Sequence, residues 1–110
     1  MQNTSANSLV KDVIDWGRVH GITNAPMQFA KINEEIGELA HELVRGKTGD
    51  GKTTVPSPET IDAIGDILVT VIIFADIIGV DPIGALQLSY DTIKDRKGET
   101  KDGQFIKENE

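Results

Sequence analysis

The segment 59–78 constrains the fold of this chain more than any other. It follows Pro56-Ser57-Pro58 and carries Ile67, Leu68, Val69, Val71, Ile72, Ile73 and Phe74 in close succession. At about 100° per residue these side chains face all directions, and a helix that is apolar all round has to be covered all round. Three short partner helices cannot do this alone, so part of the segment is expected to pack against a second copy of the chain, as a homodimer or homotetramer. The apolar run contains Thr70 and stops at Asp76. It falls short of the roughly 20 residues a membrane span needs, so no membrane association is expected.

Three further helices are predicted, and no strand pair. The first is capped at Ser5 or Ser8, presents Leu9, Val10, Val13, Ile14 and Trp16, and ends near Gly21. The second begins after Asn24-Ala25-Pro26, with Phe29, Ile32, Ile36, Leu39 and Leu43 as its core-facing stripe. Beside that stripe, at the margin of the core, lie Gln28, Lys31, Glu35, Glu38 and Glu42. The fourth starts at Asp81-Pro82, carries Ile83, Leu86, Leu88 and Ile93, and closes on Lys94-Asp95-Arg96-Lys97-Gly98. The expected fold is all-α and four-helix-bundle-like, in one domain spanning 1–110. Its helical core covers about 5–98, and a polar tail over 99–110 is pinned by Phe105 and Ile106. The long 46–56 connection makes the second and third helices antiparallel neighbours.

The charge balance narrows the choice of partners. With 18 acidic against 11 basic residues and a formal charge of −7, the chain lacks the broad basic surface that holds nucleic acid. A small anion remains an eligible ligand if a bound divalent cation inverts the local potential. There are no cysteines, so any metal must be held by oxygen or by His20 or His41. The polar N-terminus does not resemble a secretory signal, which makes a cytoplasmic location the default expectation.

Two acidic clusters stand out against this background: Glu34-Glu35-Ile36-Gly37-Glu38 on the second helix and Asp62-Ala63-Ile64-Gly65-Asp66 at the head of the third. Glu34, Glu35 and Glu38 converge on one side of their helix. Asp62 lies about 40° and Glu59 about 20° from Asp66 around the helix, so three acids share a face of the most apolar segment. A carboxylate buried there costs several kcal/mol if left unpaired. Two such clusters on neighbouring helices would share that cost around one hard cation such as Mg2+.

The stretch Lys31-Ile32-Asn33-Glu34-Glu35-Ile36-Gly37-Glu38-Leu39, the Ala63-Ile64-Gly65-Asp66 block and the ending Ile93-Lys94-Asp95-Arg96-Lys97-Gly98 resemble the MazG-like nucleoside triphosphate pyrophosphohydrolases, over roughly residues 26–98. That family's motif is E-E-x-x-E, a spacer, then E-x-x-D. The resemblance implies an all-α nucleoside triphosphate (NTP) pyrophosphatase architecture. It also implies Mg2+-dependent (Mn2+ as an alternative) hydrolysis of a nucleoside triphosphate to monophosphate and pyrophosphate, in removal of noncanonical or surplus nucleotides. It makes Glu35, Glu38 and Asp66 metal ligands and leaves to Glu34 either activation of the water or a second ion. One position departs from the pattern: the first acid of E-x-x-D falls on Ala63. Asp62, one helical turn before Asp66, is then the substitute ligand. Lys31, Lys94 and Arg96 are candidate phosphate contacts, although Lys94 and Arg96 also suit a helix C-terminus without any ligand. Gln28 is a candidate for reading a base edge.

Three other readings compete: a catalytically weak nucleotide-binding regulator, permitted by Ala63; a structural helical bundle whose acids are only solvated; and a phosphate-binding loop protein. Gly46-Lys47-Thr48-Gly49-Asp50-Gly51-Lys52-Thr53 matches G-x-x-x-x-G-K-[ST], yet a glutamate-rich helix precedes it and Pro56 and Pro58 interrupt any helix starting at Lys52. That loop needs a buried strand before it and a helix starting at its lysine. His20 and His41 read as surface histidines, and Trp16 and Tyr90 as core aromatics rather than base platforms.

Overall fold

The computed structural model describes residues 5–46 and 55–108. It contains four helices, α1 (Ala6–Val19), α2 (Ala25–Arg45), α3 (Pro58–Ile77) and α4 (Pro82–Ile93), followed by strands β1 (Gly98–Lys101) and β2 (Gln104–Lys107). The chain divides into two compact units, Met1–Val80 and Asp81–Glu110. Among the described residues no single helix is long and apolar enough to cross a membrane.

Each helix starts where its capping chemistry lies. Ser5 Oγ accepts from the Ser8 N–H, Asn24 Oδ1 from Met27, and Asp81 Oδ1 from Ile83. Ser57 and Thr60 form a reciprocal capping box, and proline occupies the first turn of α2, α3 and α4, where its missing N–H removes no helical bond. The Val55 N–H donates to the Gly46 carbonyl at 2.9 Å, tying the end of α2 to the approach to α3.

In the first unit α3 packs against both α1 and α2. Gln28, early in α2, bonds to Thr70, and Phe29 meets Phe74 with ring centroids 6.1 Å apart. Late in α2, His41 and Glu42 lie beside Glu59 and Asp62. The two helices are therefore antiparallel. Helix α1 runs parallel to α3: Val13 and Trp16 border Val69, Gly17 abuts Ile73, and Arg18 reaches Asp76. A Cβ at Gly17 would lie 3.2 Å from Ile73 Cγ1, so glycine sets the closest approach of this pair. Arg18 donates from Nε and one terminal nitrogen to the two Asp76 oxygens at 3.0 and 2.7 Å, a bidentate clamp between α1 and α3.

The stripe of α2 that faces inward differs from the apolar one. Gln28 and Glu35 are buried and Ile32, Leu39 and Glu42 half-buried along the same stripe, while Phe29, Ile36 and Leu43 are exposed. The helix is turned by about 60° from the orientation its apolar stripe suggests. Ile32 and Leu39 belong to both stripes, and α3 is apolar all round, so hydrophobic periodicity alone does not fix which flank of α2 meets it. On α3 the buried residues are Thr60, Ala63, Thr70, Ile73 and Ala75. Ile61, Ile64, Leu68, Val71 and Ile78 are exposed, Leu68 to 58 %, and with Ala75 they recur at alternating steps of three and four. By helix geometry this row continues the exposed row of α2 on the flank marked by Phe29 and Phe74.

The second unit corrects the expected absence of strands. Residues 98–107 form an antiparallel hairpin in the register Gly98↔Lys107 to Lys101↔Gln104. Its two-residue turn is Asp102-Gly103, both at positive φ (52° and 76°), the combination that matches the twist of a tight hairpin. A Cβ at Gly98 would collide with the Ile106 carbonyl and the Phe105 ring, so Phe105 lies over a glycine of its own hairpin. The turn signal is present in the sequence, but polar residues in both strands obscure it.

The Arg18 guanidinium, by hydrogen bond and charge, holds the Asp76 carboxyl below its ordinary range. A lowered folded-state value adds stability above the ordinary carboxylate range, and that stability is lost as pH falls through the folded value. Asp76→Asn is expected to destabilise the fold by up to about 1 kcal/mol at pH 7. In denaturant titrations the difference from the parent should shrink as pH drops below about 4.

Candidate functional site

On α2 the three glutamates come together. Glu34, Glu35 and Glu38 each offer a carboxylate oxygen, and these oxygens all lie within 4.8 Å of one another. Glu34 and Glu38 are exposed, whereas Glu35 is only 5 % exposed. Lys31 Nζ lies 3.3 Å from Glu35 Oε1 and 3.5 Å from Glu34 Oε1. The other oxygen, Glu35 Oε2, is buried without a hydrogen-bond partner. An ionised carboxylate left with a bare buried oxygen is costly, and it is the kind of group a cation satisfies.

Asp66, on α3, lies outside this three-glutamate group but close enough for its charge to interact with that of Glu35. It is half-buried, and its carboxyl is pushed above the ordinary range, first by desolvation and then by the charges of Asp62 and Glu35, with Lys31 opposing. A raised folded-state value means that the ionised form is disfavoured in the fold, so this group costs stability as pH rises through that value. The charges of Asp66 and Glu35 thus oppose each other.

A cleft of about 510 Å3 opens between α2 and α3, lined by Glu34, Gly37, Glu38, His41 and Glu42 on one side and Glu59, Asp62 and Ala63 on the other. This volume is within the range of small-molecule sites. Asp62 is exposed at the cleft, and Ala63 is 4 % exposed in its wall. Gly37 has no neighbouring atom within 4 Å of where a Cβ would stand, so no packing contact requires glycine in mid-helix. Its effect is to widen the cleft at a cost of roughly 0.5–1 kcal/mol of helix stability.

The remaining candidate residues fall elsewhere. Gln28 is buried, and its amide nitrogen donates to the Thr70 carbonyl at 3.2 Å, which accounts for its burial through a main-chain bond. Lys94 and Arg96 belong to the second unit, where Lys94 pairs with Asp91 at 3.3 Å. Residues 47–54, which carry most of the phosphate-loop pattern, lie outside the described residues. A helix, not a strand, ends just before them, and α3 starts only at Pro58. His41, Glu42 and Glu59 line the cleft, although the sequence pattern assigns them no ligand role. Their spacing carries the signal, since His41 follows Glu38 by three and Glu42 by four on one helix face.

Comparison with protein-family models, with curated proteins and with solved structures finds no match for this chain.

Glu35→Gln replaces the buried charge by a neutral amide of the same shape. The fold is expected to gain about 1 kcal/mol, and any stabilisation by millimolar Mg2+ to be absent from the variant. Thermal unfolding with and without the ion measures both effects.

Proposed function

We propose that this chain binds a divalent cation between α2 and α3 and uses it to hydrolyse a nucleoside triphosphate to the monophosphate and pyrophosphate, on an all-α NTP pyrophosphatase architecture. The observation that carries the cation site is the buried, partnerless Glu35 Oε2 within a three-glutamate cluster on α2, with Asp66 of the facing helix within electrostatic range. A merely solvated acidic face accounts for Glu34 and Glu38 but not for Glu35. The choice of triphosphate rests on the resemblance of the two acidic blocks to the MazG-like pattern. The dimensions of the cleft are compatible with that substrate.

Glu35, Glu38 and Asp66, with Asp62 at the cleft edge, are the residues that would hold Mg2+ or Mn2+. The cation supplies charge neutralisation of the phosphates and orientation of the attacking water. Glu34, exposed at the cleft, would accept the proton of that water. Lys31 is the nearest cation to the acids and a donor for a phosphate oxygen. One observation favours a second reading: Ala63 occupies the cleft wall where the family pattern has an acid, and nucleotide binding with little or no turnover would result if Asp62 does not substitute.

The uncovered rows of α2 and α3 support self-association of the chain, as a homodimer or homotetramer.

The test is a panel of ribo- and deoxynucleoside triphosphates with Mg2+ or Mn2+, assayed for monophosphate and pyrophosphate. At least one triphosphate is expected to turn over, with loss of about 100-fold or more in Glu38→Gln and Asp66→Asn at unchanged helical content. Metal-dependent binding without products selects the regulator, and orthophosphate with diphosphate as products refutes α-phosphorus attack. Leu68→Lys is expected to lower the sedimentation mass of the parent toward that of one chain. A parent that sediments as a single chain rejects the self-association.

A further inference from the structure

In this chain a lysine on α2, four positions before Glu35, already sits on that cation-assigned acid and on its neighbour Glu34. Lys31 Nζ straddles Glu34 and Glu35 at 3.5 and 3.3 Å. Lys11, in an i,i+4 pair on α1, closes on Asp15 to 2.9 Å, the usual length for an ammonium on a carboxylate. Lys31 reaches that distance to neither acid, as expected of one charge shared between two. It leaves Glu35 Oε2 without a partner. Its field also extends to Asp66, where it opposes the upward push of the other carboxylates. The side chain is half exposed, so it has room to swing away without disturbing the core.

We propose that Lys31 is a built-in, displaceable occupant of the cation site, holding Glu34 and Glu35 together in the metal-free chain and leaving them when a divalent ion arrives. The inference rests on the cation site proposed above. Two like charges on one carboxylate repel at short range, so ion and ammonium oppose each other by a coupling that is reciprocal. Metal entry then does two things at once: it satisfies Glu35 Oε2, and it releases a primary ammonium beside the three-glutamate cluster, free to meet a phosphate oxygen. A polyphosphate is therefore met by Lys31 only once the metal is in place, which orders the two binding events.

Calorimetric titration of the whole chain with Mg2+ and Mn2+, and then with inorganic tripolyphosphate at saturating metal, separates the possibilities. Lys31→Met is expected to bind the divalent ion more tightly, on the order of fivefold or more, and tripolyphosphate more weakly. Lys31→Arg retains an occupying cation, so its metal affinity should stay at or below that of the parent. Lys11→Met, which removes the same charge on another helix, should change neither. Normal metal binding by the parent with unchanged or weaker affinity in Lys31→Met overturns the role of the lysine and leaves the cation site standing. Absence of divalent binding in the parent overturns the cation site and this inference with it.

Discussion

The antiparallel seam between α2 and α3 is the constraint on which everything else depends. Along it the chain buries not its most apolar side chains but a polar line running from Gln28 to Glu35 and on to Glu42. Near one end, Gln28 is satisfied by the Thr70 carbonyl. At mid-seam Glu35 is satisfied only in part, by Lys31. Interiors normally avoid such a group, because an uncompensated carboxylate costs more than an apolar replacement. Its presence in an otherwise small core means that the packing of α2 on α3 and the chemistry of the cleft cannot be separated. The helices meet through the residues that define the site.

This arrangement also accounts for the distribution of apolar surface. With Gln28, Glu35 and Glu42 turned inward, Phe29, Ile36 and Leu43 are carried to the flank, next to the exposed row of α3. The buried apolar side chains of the described residues are Ala63, Ile73 and Ala75, two of them alanines. A unit held by so few buried groups relies on discrete clamps such as Arg18 on Asp76 and on close approaches such as Gly17 against Ile73. Acidic cleft and apolar flank are two sides of one rotation of α2.

What can be read in the sequence is local. The caps at Ser5, Asn24 and Asp81 and the prolines behind the last two mark helix starts within a residue or two, because the chemistry of a helix end is contained in four or five neighbouring residues. The convergence of Glu34, Glu35 and Glu38 comes equally from helical spacing. The rotation of α2 is not legible, since two overlapping stripes share Ile32 and Leu39 and only the partner helix decides between them. The hairpin escapes for a related reason: Asp102-Gly103 is a strong turn signal, but strands as polar as 98–101 and 104–107 lack the alternation by which strands are recognised. Spacing sets Glu35 at the margin of the core together with Glu38, and only the partner helix decides that Glu35 is the one buried.

The bond from the Val55 N–H to the Gly46 carbonyl closes the chain on itself between the two acid-bearing helices. The two ends of the connection are thereby held beside each other next to the seam. The connection is thus a place where this protein can diversify, or carry a grafted peptide.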